Sequence, residues 1–226
     1  MCGRFVGYRK LGDYQDKFRI ELFDVDPKPN FNVTPTQMIP VIVRQDDQNV
    51  LKEFKWGLVP FWAKDTSIGN RMINARSETV ESKPAFRAAF KKRRCLIPAD
   101  GFYEWEGKKG SKQPMYITTP DDEPFGFAGL WEVWDNKGEE DEPLYTCTIL
   151  TTDASDSIKD IHDRMPVILK PEAYKNWVAE STTPDSLKAS GKSNPRSTRI
   201  CSGSSPTRSG ATTPSRQILP LSVPSH

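Results

Sequence analysis

The stretch Cys95-Leu96-Ile97-Pro98-Ala99-Asp100-Gly101-Phe102-Tyr103-Glu104-Trp105-Glu106 decides how this chain folds. It is dense in residues that favour extended backbone and runs straight into Gly107-Lys108-Lys109-Gly110, which has turn chemistry. On the far side lies a second β-prone run, Gln113 to Thr119, so the segment reads as two paired strands around a turn. Further runs fit the same pattern: Gly3 to Val6, Met38 to Arg44, Val50 to Trp56, Phe125 to Trp134, Tyr145 to Thr152 and Pro166 to Leu169. Turn signals separate several of them, as in Pro120-Asp121-Asp122-Glu123-Pro124 and Asp135-Asn136-Lys137-Gly138, and predict consecutive antiparallel pairings.

Three stretches read as helices: Leu11 to Phe18, Pro84 to Arg94 and Pro171 to Val178. The middle one has Ser82 as a capping candidate, Phe86 and Phe90 four apart, and a basic end, Lys91-Lys92-Arg93-Arg94, that complements the helix dipole. The fold class expected is α+β: a mainly antiparallel, curved or barrel-like sheet with peripheral helices. With 226 residues, 36% of them hydrophobic, there is material for one core and a modest appendage.

Charge is unevenly spread. Residues 1–181 carry 26 basic and 29 acidic side chains, whereas residues 182–226 carry six basic and one acidic. Any nucleic-acid surface on the folded part must therefore be a local patch. From residue 182 the chain is rich in Ser, Thr, Pro and Gly and has no aromatic residue, so a domain of residues 1–180 and a disordered basic tail of residues 181–226 are expected. No stretch approaches the roughly 18 apolar residues of a membrane span. Neither does the start resemble a secretion signal. Cysteines at 2, 95, 147 and 201 show no paired spacing, and with only His162 and His226 no zinc set is plausible. Reduced thiols, an intracellular setting, and no metal or cofactor are expected.

Cys2 stands out chemically. Methionine aminopeptidases remove Met1 when residue 2 is small, which leaves an α-amine and a thiol on one residue. Such a 1,2-aminothiol can form an imine with an aldehyde and then close a five-membered thiazolidine, whereas a side-chain cysteine alone gives only a reversible hemithioacetal. The amine titrates near ~8 and the thiol near ~8.5, so a neighbouring base would help. By position alone, Cys2 is equally an ordinary small residue.

Its company adds to this. Met1-Cys2-Gly3-Arg4-Phe5, Asn32-Val33-Thr34-Pro35, Trp56-Gly57-Leu58-Val59-Pro60, Asn74-Ala75-Arg76-Ser77-Glu78-Thr79, Pro98-Ala99-Asp100-Gly101-Phe102-Tyr103-Glu104-Trp105 and His162-Asp163-Arg164-Met165-Pro166 occur in order. The set closely resembles the SRAP (SOS response-associated peptidase) family over residues 2 to about 180. The resemblance implies a β-rich single domain that senses abasic sites in single-stranded DNA and crosslinks to them through the N-terminal cysteine. It implies Cys2 as nucleophile, with Asn74, Glu104 and His162 as active-site partners. Residue chemistry is compatible with each role. Alternation puts Glu104 on the face of Phe102, beside aromatics that can raise its pKa, although a solvated strand glutamate fits too. His162 has a pKa of about 6.5 that suits proton transfer, or it is simply exposed. Asn74 can position the amine or the sugar, or serve a turn.

Arg4, Arg71, Arg76, Arg87 and Arg164 are the expected cations of the DNA groove, with Asn32 beside them. Trp56, Phe61 and Trp62 are the expected stacking surfaces, although Trp56 serves a core equally well. Lys91 to Arg94 is at most a secondary contact. Two rival readings remain: a cysteine-type peptidase, in its narrowest form self-processing, and a passive single-strand-binding module. A monomer acting on abasic single-stranded DNA is expected, in the nucleus if the source is eukaryotic, with replication-associated partners and lyase activity both open. The family's usual last strand has no counterpart in residues 182–226, so the sheet is expected to lack an edge strand.

Overall fold

The structure, a computed structural model, describes residues 2–107, 111–135, 142–179 and 199–202, the last four by backbone alone. Fourteen strands run through these residues. In chain order they begin β1 (Phe5–Gly7), β2 (Leu22–Phe23), β3 (Asn30–Val33), β4 (Met38–Gln45), β5 (Gln48–Trp56) and β6 (Asn74–Arg76). They continue β7 (Arg94–Ala99), β8 (Gly101–Glu106), β9 (Gln113–Thr118), β10 (Phe125–Trp134) and β11 (Leu144–Asp153), and end with β12 (Arg164–Pro166), β13 (Ile168–Leu169) and β14 (Arg199–Ser202). The helices are α1 (Leu11–Phe18), α2 (Arg87–Lys92) and α3 (Tyr174–Val178).

The sheet expected from the sequence is two sheets. Five strands close on themselves: β11 pairs β10, β10 pairs β7, β7 pairs β4, β4 pairs β5, and β5 returns to β11 through the parallel pairs Thr146–Lys55 and Cys147–Trp56. The ring is a small barrel, which removes the exposed edges of an open sheet. Parallel pairings occur at β5–β11, β6–β11 and β2–β5 within a mainly antiparallel arrangement. A second sheet has the order β14-β9-β8-β1-β3.

Alternation along each barrel strand divides the core in two. Val41, Val43, Cys95, Ile97, Phe127, Cys147 and Ile149 point inward, where Phe5, Val33, Phe102 and Ile117 of the second sheet join them. Ile42, Leu51, Leu96, Ala128, Leu130 and Leu150 point outward, where Tyr14 and Phe18 of α1 and Tyr174, Trp177 and Val178 of α3 cover them. Helix α2 is shorter than expected, and the Ser82 hydroxyl donates to Thr79 O rather than capping it. Arg94, read as its last residue, starts β7, and its buried guanidinium donates to the carbonyls of Phe90, Lys91, Trp177 and Ala179.

The chain passes from barrel to second sheet at Asp100, in the middle of the run read as one strand. Asp100 is 2% exposed. Its carboxylate accepts Tyr8 N (2.7 Å), Arg9 N (3.2 Å), Arg9 Nε (2.9 Å) and Tyr14 Oη (2.8 Å), and its N–H donates to Val6 O (2.8 Å). Burial raises the Asp100 carboxyl above its usual range while these donors pull it back. At Gly101 the Tyr116 ring lies so close that a Cβ would sit 2.4 Å from it. The corner thereby sets Phe5 opposite Phe102 and Val6 opposite Gly101, which fixes the chain start against β8.

Arg199–Ser202 corrects the expected absence of a last strand. It pairs antiparallel with β9, with Arg199 opposite Thr118 and Ser202 opposite Met115. An edge strand is held by main-chain hydrogen bonds, so four residues can form one without any hydrophobic period. The rest of the expected tail, with the turns at 108–110 and 136–138, lies outside the described residues.

Candidate functional site around Cys2

Cys2 precedes β1 and is wholly buried among Phe5, Ile158, Met165 and the barrel interior. Two of its expected partners reach it from different sheets. Asn74 opens β6, which lies parallel to β11 with Asn74 opposite Ile149, and its Nδ2 donates to Cys2 O at 2.8 Å. Glu104 lies on β8, 3% exposed, on the face that carries Phe102 into the core. Burial pushes the Cys2 thiol well above its usual range, and the Glu104 carboxylate pushes it further. Both effects favour the neutral thiol, and the Glu104 carboxylate lies near enough for its charge to act on the sulfur.

His162 ends the turn after β11, where its N–H donates to Ile158 O at 3.0 Å while Ile158 packs into the cluster that holds Cys2. Its Nδ1 has two neighbours that make opposite demands. The Arg164 N–H donates to it at 2.9 Å, which needs a bare nitrogen; Asp163 Oδ1 lies 2.7 Å away, which needs a protonated one. The backbone donor is fixed, whereas the Asp163 side chain is 85% exposed and free to rotate. Nδ1 is therefore the acceptor of the Arg164 N–H.

The residues expected at a DNA groove separate into three groups. Arg71, Arg76 and Arg87 are exposed, and Arg76 shares a face of β6 with Asn74 by alternation. Phe61 and Trp62 are 58% and 50% exposed on one turn. Arg4 is half-buried with its guanidinium 5.3 Å from the centre of the Trp105 ring, and Asn32 is half-buried on β3.

Trp56 and Arg164 are placed otherwise than expected. Trp56 is 0% exposed, packs edge-on against Phe5 and donates its indole N–H to Ile73 O at 2.9 Å, so no base can stack on it. Arg164 is 8% exposed. Its guanidinium is held by both Glu78 oxygens (2.9 and 3.0 Å), Asp153 Oδ1 (2.6 Å) and Thr151 O (2.8 Å). It ties the strand after His162 to β11 and to the turn after β6, rather than standing as a bare cation. Glu78 falls inside one of the sequence motifs and Asp153 outside all of them. Only the fold brings the two carboxylates together.

No group among the described residues could hold a metal ion, and no described helix is long and apolar enough to cross a membrane.

A small barrel joined to a second sheet is an architecture found elsewhere. A crystal structure of a protein from Bacteroides thetaiotaomicron superimposes with a TM-score of 0.81 at 26% identity, covering 90% of this chain and 92% of that one. The sequence model of the SOS response associated peptidase (SRAP) family matches residues 1–201, and the chain belongs to that family. It is 46% identical over 193 residues to the abasic site processing protein YoaM of Bacillus subtilis, 84% of either chain. To the abasic site processing protein HMCES of Gallus gallus it is 37% identical over 195 residues, 71% of this chain and 57% of that one.

Proposed function

We propose that this chain, once Met1 is removed, captures the aldehyde of an abasic site in single-stranded DNA as a thiazolidine on Cys2. The observation that carries the reading is the convergence on Cys2 of Asn74 from β6 and Glu104 from β8. The names of the relatives, abasic site processing proteins, supply the substrate class.

The chemistry follows from the protonation states. With the thiol held neutral, the α-amine is the first nucleophile: it adds to the sugar aldehyde and loses water as an imine forms. The thiol then adds to the imine carbon, and its proton passes by way of Glu104 to the nitrogen. The sum is aldehyde plus aminothiol giving thiazolidine plus water. Asn74 holds the Cys2 carbonyl so that amine and thiol face the same carbon. His162, its Nδ1 occupied by the Arg164 N–H, offers Nε2 to the sugar oxygen as the ring opens to the aldehyde.

Single-strand binding is assigned to Arg71, Arg76 and Arg87 for phosphates and to Phe61 and Trp62 for bases, with Arg4 and Asn32 beside the chain start. Arg164 acts here by holding the His162 loop. The setting is intracellular, nuclear in a eukaryote. A peptidase in which a Cys2 thiolate attacks first fits less well, because such nucleophiles need a lowered pKa and this thiol is raised.

The test is incubation of Met1-processed protein with an abasic oligonucleotide, followed by heating and a denaturing gel. A heat-stable shifted band without borohydride supports capture. Binding without a band leaves a passive DNA-binding module, and cleavage of an unrelated peptide would favour the peptidase.

A further inference from the structure

Large aromatic side chains at half exposure lose hydrophobic stabilisation that the core would have given them, so a fold that holds two of them on one turn calls for explanation. After β5 the chain leaves the barrel through Leu58, Val59 and Pro60, all buried, and then presents Phe61 and Trp62 to solvent. The root of this excursion is rigid. Gly57 has φ +133°, and its backbone lies against that of Gly69; a Cβ on either residue would sit 2.6 Å from the other's carbonyl oxygen. Leu58 N donates to Met72 O at 3.1 Å and Val59 N to Thr146 Oγ1 at 3.0 Å.

The tip is fastened too. Ala63 N donates to Pro60 O at 2.8 Å, closing the turn on itself. Ala63 O accepts the indole N–H of Trp134 at 2.8 Å, from the last residue of β10, 71 positions along the chain. Beside the tip, Phe61 lines a cleft of about 590 Å³ with Arg87, Lys91, Lys92 and Arg93, and the Arg93 charge is met by Glu132 at 2.6 Å. Arg87, Lys91 and Lys92 thus set positive charge next to the exposed Phe61 ring.

We propose that Trp134 is a positioning residue for DNA: its indole N–H fixes the Phe61–Trp62 turn beside the α2 cations, so that bases meet rings already in place. This rests on the single-strand-binding reading above. A turn that is ordered before binding spares the entropy of ordering it afterwards, and the gain appears in affinity rather than in chemistry.

Trp134→Phe keeps a ring and removes the donor; Trp134→Tyr is a second variant without that N–H. In free Trp134→Phe, amide exchange over residues 61–65 should accelerate while the amides of β10 and β11 keep their protection, which also shows that the barrel is intact. The dissociation constant for an undamaged single-stranded oligonucleotide should rise about 3- to 10-fold, the equivalent of one net hydrogen bond. The crosslinking rate at saturating abasic DNA should stay at the wild-type value. In a Phe61→Ala/Trp62→Ala background, Trp134→Phe should cost nothing more. Wild-type affinity in both Trp134 variants, or a full additional loss in that background, would overturn the proposal. Wild-type affinity in Phe61→Ala/Trp62→Ala itself would instead remove the turn from the DNA surface, and the proposal with it.

Discussion

Cys2 and Cys147 are both wholly buried, in the same interior, and burial raises both thiols above their usual range. Their surroundings otherwise have little in common. Cys147 sits on the barrel seam, opposite Trp56 on β5 and Trp131 on β10, with its carbonyl taking the Gly57 N–H at 2.8 Å and burial the sole cause of its shift. Cys2 is next to the chain start, with Asn74 on its carbonyl and the Glu104 charge acting on its sulfur. Burial alone therefore does not distinguish a nucleophile from a core residue. On the proposed reading, polar groups delivered from two sheets, and the amine that loss of Met1 would leave on the same residue, do.

The sharpest way to break the comparison is to substitute each sulfur. Cys2→Ser should abolish the heat-stable adduct, because a hydroxyl does not trap an imine as a thiol does. Cys147→Ser should crosslink at the wild-type rate once folded. Its cost is stability, about 1–3 kcal/mol for a hydroxyl in an apolar interior, or about 2–4 °C of melting temperature per kcal/mol. Loss of the adduct in both variants, with Cys147→Ser still folded, would mean that the Cys2 environment confers nothing special.

Next in size are the partners. Glu104→Gln should slow adduct formation roughly 10²-fold near pH 6–7 and recover as pH passes the amine's reference value near ~8. The sign is the same for the sulfur: Glu104 raises the thiol pKa, so its removal lowers that pKa and increases the thiolate fraction at any alkaline pH. His162→Ala should gain nothing from alkaline solution, and it should slow reversal as well as formation, since the same proton serves both directions. Rate-versus-pH series, forward and reverse, separate the two roles, and parallel profiles would show them wrongly assigned.

Smaller still is the contrast between a buried and an exposed arginine. Arg164→Ala should lower stability by about 1–3 kcal/mol, less than a fully buried pair because Glu78 and Asp153 are partly solvated. Arg76→Ala and Arg87→Ala should leave melting unchanged and reduce the salt slope of single-strand binding by about 0.7 each. Calorimetry and salt titrations read these effects, and an unchanged slope in both exposed variants would take them out of the groove.

These contrasts also show what the sequence reveals and what it hides. The β-rich class, most strand positions and α1 follow from local pattern. The break at Asp100 does not: the β-prone run continues through it, and the donors that make it a corner come from Tyr8, Arg9 and Tyr14, some 90 residues away. Trp56 and Trp62 look alike in sequence, yet a short buried run between them turns one into the barrel and the other outward. Arg164 and Arg76 are both motif arginines, and only the position of Glu78 and Asp153 tells which is neutralised. β14 lacks a hydrophobic period, so pattern passes over it. Cys2 stands out by its own chemistry, and Asn74, Glu104 and His162 only by family resemblance; the approach of Asn74 and Glu104 to Cys2 depends on strand pairings too distant for spacing to reveal.

The most direct test of the central claim is mass spectrometry of the N-terminal peptide after reaction with an abasic oligonucleotide and nuclease digestion. Thiazolidine capture predicts that the peptide lacks Met1 and carries the sugar remnant on Cys2, at the mass of the aldehyde adduct less one water. It also predicts that the α-amine and the thiol are both closed to labelling reagents. A remnant on any other residue, or on Cys2 with its amine still free to react, would contradict it.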